Sequence, residues 1–352
     1  MPAKTRATFT ARVLIAVGVI TAVVLVLLLV WRTADVLLIL FAGGLAAILL
    51  NWISAVLSDH TPLSYRWALG LVVLLLLVLT IGGGWLMAGP LTTQAGELAA
   101  NLQNSFDDLM TQLDSTPWAQ DAWQQIRTMA QNGFAQTDLV SRFTGAFSGL
   151  VSVLTNVAVV LFISLYLAFE PRVYLSGVIH LVPPARRGRA HQVLLAVREV
   201  LRWWLLGRLA SMLLLGVLWT IGLWILGIPL AFILGVLATL LAFVPYIGAV
   251  LTIIPVLLLA LAQGPQLALY ALILYLVIQT IESNLLTPLM QRQMISLPPV
   301  VTLASQLILG LLFGFMGILL APALAAVLIV LVKMLYVQDV LGDQAVEPVP
   351  GH

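Results

Sequence analysis

Apolar residues fill this chain in long runs, and polar positions are gathered into a few segments between them. A helix that crosses a hydrocarbon core of roughly 30 Å needs about 20 apolar residues. The runs at 13–30, 36–57, 67–87, 141–169, 209–226, 267–290 and 302–336 are of that order. An eighth stretch, 229–262, is equally apolar but is split by Val244-Pro245-Tyr246-Ile247-Gly248. The pattern predicts an all-α, polytopic transmembrane helical bundle of about 7–8 spans with one broken helix. The first run is longer than a signal-peptide core and lacks a small-residue cleavage site before Trp31-Arg32, so it reads as a retained span.

Two segments show helical amphipathicity instead. Leu98, Leu102, Phe106, Leu109 and Leu113 recur at steps of four and three, one face of a helix. Thr116-Pro117 then supplies a capping hydroxyl and a first-turn proline for a second helix. Further on, Val193, Val197, Val200 and Trp204 form an apolar stripe beside Arg198 and Arg202, the pattern of a basic helix lying in a membrane interface. The expected organisation is therefore three spans in 1–88, extracytoplasmic amphipathic helices in 89–143, and a fourth span in 144–170. A cytoplasmic basic interfacial helix follows in 171–208, then a motif-rich transmembrane half in 209–338 and a polar tail in 339–352.

Composition agrees with this reading. Of 352 residues, 62% are hydrophobic and 9% charged, against about a quarter charged in soluble domains. A soluble enzyme and a disordered chain are both excluded on these grounds. There is no cysteine, which removes disulfides and thiolate metal sites. Charge placement sets orientation. Lys4, Arg6 and Arg12 precede the first run without an acid, which places the N-terminus in the cytoplasm. The segment 89–143 carries a net charge of −4 and belongs outside; 170–208 carries +5 and belongs inside. The second half offers little such information, and whether 229–262 crosses or re-enters decides the side of the C-terminus. An even number of crossings, with both termini inside, is the favoured arrangement.

Candidate chemistry is sparse. No phosphate loop, dinucleotide fingerprint, HExxH or GxSxG motif occurs, and no span carries a His pair or two carboxylates. Neither catalysis, a cofactor, a metal nor nucleic acid is expected. Glu282 is the exception within a span. Gln279, Glu282 and Ser283 stand at helical spacing, Asn284 follows, and Pro288 frees the carbonyl of Asn284. An intramembrane carboxylate is a candidate substrate or ion contact by default. The break at Pro245, Tyr246 and Gly248 is a second candidate, because irregular backbone at membrane depth is tolerated only inside protein or along a cavity. Gly310, Gly314, Gly317 and Ala321 ahead of Pro322 read as a helix-packing stripe.

Pro245-Tyr246-Ile247-Gly248, then Glu282-Ser283-Asn284-Leu285-Leu286-Thr287-Pro288, then Leu312-Phe313-Gly314-Phe315-Met316-Gly317 with Ala321-Pro322, resemble the autoinducer-2 exporter family of bacterial permease-like proteins. The likeness covers about 12–336 and departs at 291–299, where many relatives carry a glycine and a histidine. It implies a multi-pass protein of the bacterial inner membrane that exports small solutes and forms homo-oligomers, with a pentamer the form suggested. The partners expected are the lipid bilayer and a small-molecule or cation substrate. Two alternatives stand beside export: a cation/proton antiporter, with Glu282 alternately holding a proton and Na⁺, and an oligomeric scaffold without transport.

Overall fold

The computed structural model describes residues 32–78, 158–286 and 297–343, with a few isolated positions besides. The expected first span, the segment 89–143, the start of the fourth span and the stretch 291–296 lie outside the described residues. Those described form helices and turns and contain no strand. The helices are α1 (Ala34–His60), α2 (Tyr65–Val78), α3 (Ala158–Phe169), α4 (Pro171–His180), α5 (Arg187–Ile225), α6 (Ala231–Leu241), α7 (Ile247–Gln263), α8 (Pro265–Ile281) and α9 (Pro299–Leu331). Four helical segments here are long and apolar enough to cross a membrane, or up to five with the bent α3–α4 pair taken as one span. The chain is thus a helical membrane bundle. Leu311, Trp224 and Val300 stand 88%, 76% and 76% exposed, as befits a surface whose solvent is lipid.

Proline and glycine set the boundaries. Pro171 opens α4 immediately after Glu170, where the chain bends by 85° out of α3. Proline also stands at the first turn of α8 and α9, where its missing N–H costs nothing. By contrast, α5 runs unbroken for 39 residues, about 58 Å at 1.5 Å per residue. The basic interfacial helix and the next span, separate in the sequence reading, are therefore one rod. The segment around Trp203-Trp204-Leu205-Leu206 contains no proline, and Gly207 alone does not stop it.

The second half is built from helices that fold back. α6 has 11 residues, about 16 Å, too short to cross a bilayer. It packs closely along α5 through a reciprocal pair of Gly-x-x-x-Thr steps. A Cβ at Gly216 would fall 1.7 Å from Thr239 Oγ1, and one at Gly235 would fall 1.7 Å from Thr220 Oγ1. Each threonine donates to the carbonyl of the glycine one turn before it, Thr220 to Gly216 at 2.8 Å and Thr239 to Gly235 at 2.9 Å. Both hydroxyls are thereby satisfied without a cross-helix partner, and the backbones close in over bare Cα atoms.

After α6 the chain turns through 242–246 and returns as α7. Gly248 lies so near the end of α6 that a Cβ there would meet the Leu241 carbonyl oxygen at 1.9 Å. This settles the form of 229–262 as a helical hairpin with its tip at 242–246. The last long run departs further from expectation. It reads as one straight span with a glycine stripe, yet α9 bends sharply at Gly314, whose φ of 62° and ψ of −144° only glycine adopts without strain. A Cβ at Gly317 would fall 2.0 Å from the Leu309 carbonyl oxygen, and one at Gly310 would fall 2.6 Å from Ile318 Cγ1. A straight helix rises about 12 Å over eight residues, so neither contact exists without a reversal. Gly310 and Gly317 thus line the inside of a bend. Pro322 is fully buried in the returning arm.

Two further contacts tie the ends together. Phe313 and Met316, at the α9 bend, pack with Phe243, Trp204 and Leu38, joining both bends to α5 and α1. At the opposite end of α5, Arg189 pairs with Asp339 at 2.9 Å and donates to the Met334 carbonyl and Gln338 Oε1 at 2.9 and 2.7 Å. It clamps the π-helical turns Val332–Gln338 that extend α9.

The Gly216–Gly235 crossing predicts that Gly235→Leu destabilises the purified protein by about 1–3 kcal/mol, the range for an overfilled interior, read as a lowered midpoint in thermal unfolding in detergent. Gly314→Ala should cost about 1–3 kcal/mol through backbone strain alone, whereas alanine at the freely accessible Gly177 of α4 should leave the midpoint within experimental error.

Candidate functional site

The tip of the α6–α7 hairpin is made of backbone polar groups set among apolar helices. Helix α6 ends at Leu241, so its last carbonyls lack intrahelical partners. Tight local bonds take some of the burden: Val244 N–H donates to Leu241 at 3.0 Å, and Gly248 N–H to Val244 at 3.0 Å. Ile247 N–H donates to the Pro245 carbonyl at 2.7 Å. That last bond spans two residues and centres on Tyr246, with φ 63° and ψ −54°. This is the γ-turn of positive φ, a rare and strained conformation for a bulky residue. Two carbonyls of the turn are met from outside the hairpin, that of Pro245 in addition to its bond from Ile247. Arg208 Nε on α5 donates to Phe243 at 3.0 Å, and Gln306 Nε2 on α9 donates to Pro245 at 3.3 Å. Arg208 is 9% exposed and Gln306 1%.

Beneath this tip lies a cavity between α5, α6, α7 and α8. Arg208 and Trp219 come from α5, Tyr246 and Gly248 from the hairpin, and Tyr275, Gln279 and Glu282 from the end of α8. Gln279 Nε2 donates to Glu282 Oε2 at 3.2 Å. Glu282 and Tyr246 lie within electrostatic reach of Arg208. The floor toward α7 carries Thr252, whose buried hydroxyl donates to the Gly248 carbonyl at 2.8 Å. The enclosed space is about 20 Å³, where a water needs roughly 10–15 Å³ by the same measure. In this conformation the cavity has room for about one water beside its lining.

Of the residues singled out in the sequence, Glu282, Gln279, Tyr246 and Gly248 share this cavity, while Pro245 does not line it and has its carbonyl held by Gln306. Ser283, Asn284 and Pro288 are exposed and do not line it. The cause is the π-helical turn Glu282–Leu286, which changes the helical register at Glu282 and carries the following side chains off the shared face. Ser283 Oγ instead donates to Thr280 at 3.3 Å. Gly310, Gly314, Gly317 and Pro322 belong to the α9 bend rather than the cavity.

Arg208 is the residue that sequence reasoning undervalued. It counts as one more inner-side arginine, yet it stands at the head of the apolar run 209–226 and is enclosed on all sides. An arginine adjoining a span, in a chain with one intramembrane carboxylate, was the available signal. Gln306 gave none, since a single glutamine in an apolar run has many structural explanations.

The described residues thus form a helical membrane bundle whose helices break and fold back around a cavity lined by Arg208 and Glu282. The profile of the AI-2E transporter family matches residues 19–336, and the chain belongs to that family. It is 29% identical over 201 residues to "Putative transport protein YrrI" of Bacillus subtilis (strain 168), covering 55% of this chain and 57% of that one. Against "Putative transport protein YueF" of the same organism the identity is 26%, over 54% and 53% of the two chains. Against "Putative transport protein YhhT" of Escherichia coli (strain K12) it is 28%, over 54% and 52%. The matched region thus spans about half the length of these curated relatives.

Removing the guanidinium strips a buried carbonyl of its donor. Arg208→Gln should therefore destabilise the protein by about 1–3 kcal/mol, while Arg198→Gln on the exposed face of α5 should stay within about 0.5 kcal/mol. Paired thermal melts in detergent measure the difference.

Proposed function

We propose that this protein moves a small polar solute across the bacterial inner membrane through the cavity framed by Arg208, Tyr246, Gln279 and Glu282. The observation that carries the reading is convergence. The split at 244–248 and the polar stripe ending at Glu282 are separate in sequence, and both line one enclosed polar space beside a buried arginine. Buried charge of this kind is costly in a membrane protein and marks a solute path by default. Family membership and the names of the relatives support transport in the same direction.

The space beside Arg208 is about the size of one water, so passage of an organic solute through it requires the hairpin tip or the π-turn to shift. Both are suited to it: Tyr246 stores strain, and a π-turn is a helix already out of register. Outward direction, an autoinducer-2-like cargo and assembly into homo-oligomers are carried over from the family resemblance. The cytoplasmic N-terminus rests on the charge bias of the N-terminal tail and of the segments that flank the first four expected spans.

The test is flux of labelled small solutes into proteoliposomes containing the full chain, wild type beside Glu282→Gln, with and without a sodium gradient. Loss of at least about tenfold in rate, worth roughly 1.4 kcal/mol, is expected for Glu282→Gln with an unchanged melting midpoint. Equal flux by wild type and variant would remove Glu282 from the path, and flux that follows the sodium gradient alone would favour cation exchange.

A further inference from the structure

We propose that Arg208 seats the carboxylate of a small anionic solute, which takes the place that Glu282 holds at the resting cavity. The inference rests on reading the cavity as a solute site and adds the class of solute. Arg208 is a fixed positive charge within the cavity wall, sunk into the bundle and anchored through Nε to the Phe243 carbonyl. With Nε so engaged, the terminal amino groups are the donors left for an occupant. Their planar fork matches a carboxylate in two parallel hydrogen bonds.

The same charge bears on what the cavity refuses. A cation entering an enclosed space beside a buried guanidinium meets repulsion that the low local dielectric leaves unscreened. Glu282 offsets this charge at rest and lies within its electrostatic reach. With Glu282 in the wall the cavity has room for about one water, so a solute carboxylate seated on the guanidinium needs Glu282 to move aside. Exchange is the arrangement that keeps a negative charge facing the arginine throughout. Glu282 is the first residue of the π-turn Glu282–Leu286, where a change of hydrogen-bond register turns a side chain without displacing the rest of α8. Its partner Gln279 lies on the preceding turn, within the regular helix, and remains in place to meet the solute's hydroxyl groups.

The probes are glycerate and glyceramide, alike in size and differing in charge, with sodium chloride as the cation control. Binding to the full chain in detergent is read by thermal shift and isothermal titration at constant ionic strength. Wild type should bind glycerate at least about tenfold more tightly than glyceramide. Arg208→Gln should erase that preference. Arg208→Lys, which keeps the charge but loses the fork, should retain part of it, so that a purely structural role for Arg208 is distinguished from an anion seat. Glu282→Gln, lacking the resident competitor, should bind glycerate more tightly than wild type. Equal binding of the two probes by wild type overturns the proposal, as does an undiminished preference in Arg208→Gln or weakened glycerate binding in Glu282→Gln. If Arg208→Gln does not fold, the wild-type and Glu282→Gln comparison decides alone. Solute flux without anion preference would sink this inference and leave transport standing. Glycerate binding at Arg208 without flux of any solute would do the reverse.

Discussion

Backbone carbonyls exposed where α6 stops are the constraint around which the second half of this protein is arranged. A helix that ends inside an apolar bundle leaves acceptors with no water to turn to, and each costs free energy until something donates to it. Here the last turn of α6 takes local N–H donors. The carbonyls of Phe243 and Pro245 beyond it take donors from far along the chain, Arg208 from the middle of α5 and Gln306 from the first arm of α9. Both side chains are long enough to reach the tip and are buried by doing so. An arginine placed for this purpose also brings a full charge indoors, and a carboxylate on α8 then answers it across a small cavity. A structural need at the tip and a charged interior thus arise from the same side chain.

Close packing follows from a second constraint. Lipid tails are as apolar as the helices, so hydrophobic burial does little to hold one span against another, and fit must supply the attraction. The α5–α6 crossing meets this with two glycines and two threonines that interleave in mirror fashion. The bends at Gly248 and Gly314 extend the principle to turns: one glycine lets a returning helix touch the one it left, and the other takes a backbone conformation closed to other residues. Tyr246 is the exception. Like Leu230 at the start of α6, it is a bulky residue held at positive φ, and it stands on the cavity wall.

The sequence made the class of fold plain, because runs of apolar residues at bilayer length have few other meanings. It also marked the breakpoint at Pro245 and the polar stripe at Gln279 and Glu282, since proline and buried charge are local signals. What it hid were features set by three-dimensional neighbours. The bend at Gly314 looked like a stripe because Gly310, Gly314 and Gly317 fall at the spacing of a helix face, and only the backbone angles distinguish a smooth face from a reversal. Ser283 and Asn284 seemed to extend the stripe, but the register change at Glu282 turned them outward. Arg208 was visible as a charge and invisible as a cavity wall. The division at 208/209 followed composition, and composition does not report whether a helix continues.

That unbroken α5 has a mechanical consequence. One stiff beam carries several arginines toward its foot, the hairpin's anchoring guanidinium near mid-length and the crossing with α6 above it. At its foot the clamp of Arg189 on Asp339 and Gln338 fastens the terminal segment to the same beam. A tug on the polar end is therefore not absorbed locally but delivered, with little slack, to the floor of the cavity some twenty residues away.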